Sequence, residues 1–395
     1  MQLKLKKMKI VLGDCNLKKP KLGNIFDKNI IDMFRELSKQ ILTSKECIKF
    51  PDLIFFGFWC RKSNLENLKK KYINQNNRLG RGLLFHITPS NVPTNFIYSM
   101  VFGLLSGNSN VIRLPSKNYI QIKILCKILK KIFLKKKYKK ISERVLLIKY
   151  EKSDNISAEL SKIADGRVLW GSDETVINFK TFFTKPRSID VIFPNRYSIS
   201  IINSDQLSKL SQLEIYNLAL KFYNDAYTMD QFGCSSPNTV FWLGKNNKKI
   251  EFFWEQLKKI VNSKYSFNLS EANQKISKLM EFTFNEKNTI KLKIDNFNLI
   301  RLNHEKINLP KYKNIGFGTF VEIKLKNIDS LKQYCSKELQ TITQFGLSSD
   351  LIKKMILKNN IKGIDRIVPL GRAFDLGLEW DGIDVIYSLS RTISF

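Results

Sequence analysis

From Leu79 onward, short apolar runs alternate with stretches of helical periodicity, and that alternation constrains the fold more than anything else in the chain. Gly82-Leu83-Leu84-Phe85-His86-Ile87 reads as a strand, 92–105 as a helix, Asn110-Val111-Ile112-Arg113-Leu114 as a strand and 119–134 as a helix. Strands follow at 144–148, 166–170, 189–193 and 197–202, with helices at 156–164 and 175–183. A helix between two strands carries the chain back to the edge where it started, so the strands pair in parallel. The expected class is α/β with a doubly wound parallel sheet, an architecture that binds nucleotides at the carboxyl ends of its strands. The usual glycine loops are missing, however. Gly80-Arg81-Gly82 and Gly316-Phe317-Gly318 are the only GxG triplets, neither reaches a further glycine three residues on, and no Walker sequence occurs.

A second α/β block begins after a long helix expected at 206–227. Its strands are expected at 239–243, 289–294, 299–302, 319–324 and 339–343, with helices at 250–261, 271–282, 330–334 and 350–357. The chain has 395 residues, more than one compact core usually holds, so two domains are the default. Residues 1–75 read as a helical lead-in, with helices near 29–42 and 64–74 around a Phe/Trp-rich link.

Between that long helix and the next strand lies Gln231-Phe232-Gly233-Cys234-Ser235-Ser236-Pro237. A thiol on a sharp turn can meet a substrate while backbone amides face the reacting atom. Gly233 permits close approach, and Pro237 ends the turn. Free cysteine is also among the most buried residue types, so a nucleophile and a structural thiol both remain open at Cys234.

Composition excludes several classes. Lys+Arg 67 against Asp+Glu 35 gives a net charge of +32, which on its face points to nucleic acid. The lysines, though, are spread along the whole chain. Its densest run, from Lys130 to Lys140, reads as the solvated end of an amphipathic helix. A basic nucleic-acid-binding protein is therefore the alternative reading, and it requires a clustered positive face. The 6 cysteines show no CxxC spacing and accompany only 2 histidines, so no metal site is expected. No disulfide framework is implied, which fits a reducing cytoplasm. Residues 1–10 are basic without an apolar core, and the longest apolar stretch, 96–105, is too short to span a bilayer.

Taken in order, these segments resemble the acyl-CoA reductase family, which includes the long-chain fatty acyl reductase of bacterial bioluminescence and lies within the aldehyde dehydrogenase superfamily. The resemblance rests on Gly82 to Pro93 (with Thr88-Pro89-Ser90-Asn91-Val92-Pro93), Gly107 to Lys117, Trp170-Gly171-Ser172, the cysteine loop, Leu339-Gln340-Thr341, Gly363 to Arg372 and Trp380-Asp381-Gly382. It implies an aldehyde-dehydrogenase-like fold, with a variant Rossmann NAD(P)-binding domain and a second α/β catalytic domain. The division expected on that basis has four parts: 1–75 packed on the cofactor domain, 76–210 binding NAD(P), 211–362 carrying the nucleophile, and 363–395 returning to the site or to an oligomer interface.

The resemblance places Gly171 and Ser172 near the pyrophosphate, and Arg113, Ser116 and Lys117 at the adenosine ribose. Two cations there suit a 2′-phosphate, so NADPH is expected over NADH. Cys234 is the implied nucleophile toward an acyl thioester, from acyl-CoA or an acylated protein. Its own N–H and the side chain of Asn91 would then hold the oxyanion. Two local readings stay open beside these: Asn91 as a cap of the helix near Val92, and Ser172 as an N-cap ahead of Asp173 and Glu174. His86 reads as buried in its strand. Hydrolytic relatives carry a water-activating glutamate before the cysteine, whereas the corresponding Phe193-Pro194-Asn195-Arg196-Tyr197-Ser198 has no carboxylate. That favours thioester reduction over aldehyde oxidation; a reductase for another activated acyl group is the nearer alternative. A homo-oligomer and an acyl-protein synthetase partner are further implications, with no specific nucleic acid and no membrane span. Asp365, Arg366, Arg372, Trp380 and Asp381 match the family's tail without an assigned chemical role.

Overall fold

The computed structural model describes residues 8–72, 77–151, 153–285, 291–303, 307–309 and 314–394. His304, the end of the helix expected at 64–74 and the start of the strand expected at 289–294 lie outside these residues. The chain divides into two units, Met1–Asn195 with Leu376–Phe395, and Arg196–Asp375.

The first unit contains β1 (Lys9–Gly13), β2 (Arg78–Gly80), β3 (Leu83–Ile87), β4 (Ser109–Arg113), β5 (Val145–Lys149), β6 (Gly166–Trp170) and β7 (Ile189–Phe193). Its main sheet has the order β1-β5-β4-β3-β6-β7, parallel throughout except that β1 runs antiparallel to β5. Every residue of β3 and β6 is buried, as expected of central strands covered on both faces. Helices Asn95–Leu105, Ile120–Phe133, Asp154–Ile163 and Asp173–Lys180 connect the strands. Phe85, Val111, Ile148, Leu160 and Leu169 share one of the cores.

The second unit contains β8 (Tyr197–Asn203), β9 (Pro237–Leu243), β10 (Lys291–Asn296), β11 (Leu299–Asn303), β12 (Thr319–Lys324), β13 (Leu339–Phe345) and β14 (Arg366–Pro369). They form one sheet in the order β10-β11-β12-β9-β8-β13-β14, parallel except for β10 against β11. Alternation along the strands feeds two cores. Ile201, Phe241 and Val321 enter one, and their neighbours Ile202, Trp242 and Phe320 enter the other.

Several expectations change. The lead-in is not wholly helical, because Lys9–Gly13 pairs with β5. The aromatic link is the helix Pro51–Trp59, started by Pro51 in its first turn. The helix expected at 206–227 is two helices, Ser204–Leu207 and Gln212–Tyr227. Ser211 and Glu214 form a capping box that begins the second one afresh. The units divide at Asn195/Arg196, not near 210, because β8 pairs with β9 and β13. The tail is shared as well. β14 closes the second sheet, while β15 (Glu379–Trp380), β16 (Ile383–Asp384), the helix Val385–Leu389 and β17 (Ser390–Thr392) belong to the first unit. There β17 pairs with β2, and Arg78 donates to Ser390 Oγ, Thr392 Oγ1 and the Tyr387 carbonyl at 2.8–2.9 Å. Among the described residues no helix is long and apolar enough to cross a membrane.

Candidate active site

In the second unit the helix Gln212–Tyr227 gives way to two left-handed residues, Asp230 and Gln231, at φ 51° and 65°. Such backbone is costly for non-glycine residues and needs bracing. The buried Gln231 side chain supplies it. Its Oε1 accepts from the N–H groups of Gly318 (2.7 Å) and Thr319 (3.0 Å), and its Nε2 donates to the carbonyls of Thr319 (3.1 Å) and Pro237 (3.3 Å). The Phe317 N–H donates to the Asp230 carbonyl at 3.0 Å.

The turn at the cysteine follows, closed by the Ser236 N–H on the Gly233 carbonyl at 2.9 Å. A β-carbon on Gly233 would come within 2.8 Å of the Phe374 ring, so any larger residue here would have to displace that ring. Ser198 Oγ donates to the Cys234 carbonyl (2.7 Å) and accepts from Thr341 N (3.2 Å), tying the turn to β8 and β13. Gln340 Nε2 donates to Cys234 Sγ at 3.5 Å, and Ser235 Oγ lies 4.0 Å from the sulfur. Thr341 Oγ1 donates to Gln340 Oε1 at 3.3 Å.

Burial pushes the thiols of the five other cysteines up, Cys126 to about 11 and Cys335 to about 12. Desolvation keeps them protonated and poor as nucleophiles.

Two of the tail residues that matched the family, Asp365 and Arg366, make bonds within the second unit. Arg196 pairs with Asp365 and donates to the carbonyls of Glu338 (3.1 Å) and Leu339 (3.3 Å). Arg366 donates to the carbonyls of Ala373 (2.9 Å) and Asp375 (2.8 Å). Asp225, not singled out by the sequence, accepts from the N–H groups of Gly371 (2.6 Å) and Ala373 (2.9 Å); burial pushes its carboxyl up to about 7. It thereby fixes the segment that brings Phe374 against Gly233. An aspartate one residue before Ala226 on the apolar-periodic helix was the available signal.

The other expected site residues belong to the first unit. Asn91 is exposed in the loop between β3 and the helix Asn95–Leu105. That helix has Thr94 as its N-cap residue, so Asn91 does not start it. Tyr119 OH donates to the Ser90 carbonyl, linking this loop to the segment after β4. Arg113 ends β4, with its guanidinium 4.8 Å over the Tyr150 ring and Nη2 3.5 Å from Ser116 Oγ. Arg113 Nε is buried without a partner. Ser116 and Lys117 are exposed, and Lys117 Nζ stands 5.2 Å over Tyr119. Gly171 and Ser172 follow β6. Gly171 N donates to the Phe193 carbonyl (3.2 Å), and Ser172 Oγ caps its helix by accepting from Thr175 N (3.3 Å). From β3 the chain winds outward to β4 and β5, then returns to the other side of β3 as β6. The switch point therefore falls between β3 and β6, with the loops of Asn91 and Ser172 at its mouth.

His86 sits fully buried in β3, with Nδ1 2.7 Å from Ser99 Oγ and Nε2 3.0 Å from Asn110 Oδ1. Burial pushes its imidazole down to about 4, although Asn110 works the other way. Because the folded value lies below the unfolded one, His86 contributes stability above about pH 6.5 that is lost as pH falls toward 4. The expected NMR result is a His86 resonance that stays flat from neutrality to about pH 5; a midpoint near 6.5 would contradict the buried neutral ring.

The fold matches solved structures of the aldehyde dehydrogenase superfamily. HpcC from Thermus thermophilus aligns with a TM-score of 0.65 at 11% identity, over 92% of this chain and 79% of that one. The 1-pyrroline-5-carboxylate dehydrogenase from Thermus with bound NAD aligns at 0.62 and 10%, over 92% and 79%. Aldehyde dehydrogenase 21 from Physcomitrella patens, in complex with the reaction product succinate, aligns at 0.61 and 10%, over 93% and 83%. No curated protein matches the sequence significantly. The sequence model described as acyl-CoA reductase (LuxC) matches residues 60–392, and with the cysteine turn and every strand of the two main sheets except β1 inside that span, the chain belongs to the acyl-CoA reductase (LuxC) family.

Proposed function

We propose that the protein reduces a long-chain fatty acyl thioester, carried on CoA or on a protein, to the aldehyde with NADPH, through an acyl group held on Cys234. The observation that carries this reading is the mounting of Cys234. Its sulfur receives an amide N–H, its carbonyl is tied to β8 and β13, and the stretch preceding β8 offers no carboxylate to activate water. In the acylation step Sγ attacks the acyl carbon while the backbone N–H of Cys234 serves as a donor to the developing oxyanion; Asn91 as the second donor rests on the family resemblance alone. The donor thiolate leaves with the electron pair of the broken C–S bond.

The residues after β4 and β6 fit a dinucleotide phosphate. Arg113 has a buried donor without a partner, and exposed Ser116 and Lys117 adjoin it. Arg113, Ser116 and Lys117 would hold the 2′-phosphate end, and Gly171 and Ser172 the pyrophosphate. When bound, the nicotinamide supplies the hydride for reduction of the acyl group. A homo-oligomer, a cytoplasmic location and an acyl-protein synthetase as acyl donor belong to the same reading and rest on the family resemblance.

The test is NADPH loss and aldehyde formation over acyl-CoAs of increasing chain length. Turnover of long chains supports the assignment; no turnover together with no acyl adduct on Cys234 would overturn it. The phosphate assignment has its own check. Arg113→Met with Lys117→Met is expected to weaken NADPH binding about tenfold, ~1.4 kcal/mol, and to leave NADH nearly unchanged in a fluorescence titration. Equal loss for both nucleotides would remove the 2′-phosphate from this site.

A further inference from the structure

Gln340 is fully buried on β13, in the interior of the second sheet, where an amide is out of place unless its groups are used. Its backbone carbonyl accepts from Asp365 N at 2.9 Å, as part of the pairing with β14. Its side chain leaves the ladder. Thr341 Oγ1 donates to Oε1, which fixes the amide with its nitrogen toward the cysteine, and Nε2 then lies 3.5 Å from Cys234 Sγ. Ser198 reinforces the register by bonding both the Cys234 carbonyl and Thr341 N. Gln340 and Cys234 are thus held together by two independent links, although 106 residues separate them.

We propose that Gln340 is a catalytic residue of this reaction, donating a side-chain N–H to the sulfur of Cys234 whenever that sulfur carries negative charge. The proposal rests on the reading of Cys234 as nucleophile. The sulfur is charged twice. Before acylation, the thiolate uses a lone pair to form the S–C bond, while the C–S bond to the donor breaks and its pair leaves on the donor thiolate. At the end, the C–Sγ bond of the reduced acyl group breaks, its pair returns to Sγ, and the oxygen's pair re-forms the aldehyde C=O. A donor that does not itself ionise stabilises both states, and, unlike a glutamate, it cannot take a proton from water to hydrolyse the acyl group. On the adjoining segments Arg196 pairs with Asp365, Asp225 accepts from Gly371 and Ala373, Asp230 accepts from Tyr265, and Arg366 donates to the carbonyls of Ala373 and Asp375. The carboxyl of Glu338 is held below its usual range by Ser336.

The test is the rate of Cys234 alkylation by iodoacetamide, read by mass spectrometry on the full-length protein from about pH 5 to about pH 10. Gln340→Met keeps the side-chain length and removes the donor. Its profile is expected to move up by about one pH unit, with alkylation near neutrality about tenfold slower, the usual worth of a hydrogen bond to a charged group. Gln340→Glu places a carboxylate against the sulfur and is expected to move the profile further; it also serves if the methionine variant does not fold. A folded variant of either kind with the wild-type profile would overturn the proposal. Wild-type protein incubated with acyl-CoA separates the two ideas. No adduct on Cys234 refutes the nucleophile itself, whereas an adduct with an unchanged alkylation profile in the variants refutes only the role of Gln340.

Discussion

Cys234→Ala is expected to abolish acyl thioester reduction, a loss of at least about 10³-fold, because removing a covalent nucleophile costs the whole two-step path and not one contact. The scaffold should be untouched. The bond that secures the turn runs from Ser198 Oγ to the backbone carbonyl of residue 234, which alanine retains, and the left-handed pair before it is braced by Gln231. An unchanged unfolding temperature would therefore accompany the loss. Intact-mass analysis after incubation with acyl-CoA should show the acyl increment in wild type and none in the variant. Cys126→Ala is the matched control: burial pushes that thiol up to about 11, and its removal should change neither adduct nor rate. Substantial reduction by Cys234→Ala would leave the family assignment standing and remove the covalent path.

The parts of the fold that could be read from the chain were those in which one short run decides the outcome alone. β6 begins and ends where its apolar run does, because a central strand buried on both faces needs no partner pattern to be seen. β1 escaped because Lys9-Ile10-Val11-Leu12-Gly13 lies in a basic segment, and only its pairing with β5 makes it a strand. The unit boundary escaped for the same reason. The run at β8 looks like its predecessors, and which sheet it joins is decided by contacts with β9 and β13 far along the chain. At the site, the cysteine turn announced itself through Gly233, the serines and Pro237. The residues that complete it had no role legible in the sequence, although Gln340 and Ser198 lie in stretches the family resemblance marks. Ser198, Gln340 and Asp225 act across 36, 106 and 146 residues, and no local spacing encodes such contacts.

The largest expected stability effect lies away from the cysteine, at Arg301. This β11 residue is 1% exposed, and its guanidinium reaches Asp295 (2.8 Å), Glu251 (2.9 Å) and Glu322 (3.4 Å). Burial opposes its charge, yet the three carboxylates together hold it above its ordinary value. Glu322 Oε1 also accepts from Trp242 Nε1 (2.8 Å) and Trp254 Nε1 (2.9 Å), at the centre of the aromatic core. Arg301→Leu would fill the space but leave Glu322 buried without its cation, and breaking a buried pair from one side typically costs about 3–5 kcal/mol. At roughly 3 °C per kcal/mol for a unit of this size, thermal unfolding should fall by about 10 °C. Adding Glu322→Gln removes the orphaned charge while keeping an oxygen for both indoles, so the double variant should recover much of the loss. The pH dependence has a definite sign. Glu251, although half exposed, is held below its usual range by Arg301 and Lys293, so its pairing stabilises the fold above about pH 4.3 and fades as pH falls. The gap between wild type and Arg301→Leu should accordingly narrow in acid. A variant that melts within a degree of wild type at neutral pH, or a gap that widens in acid, would show that the carboxylates find solvent without the arginine.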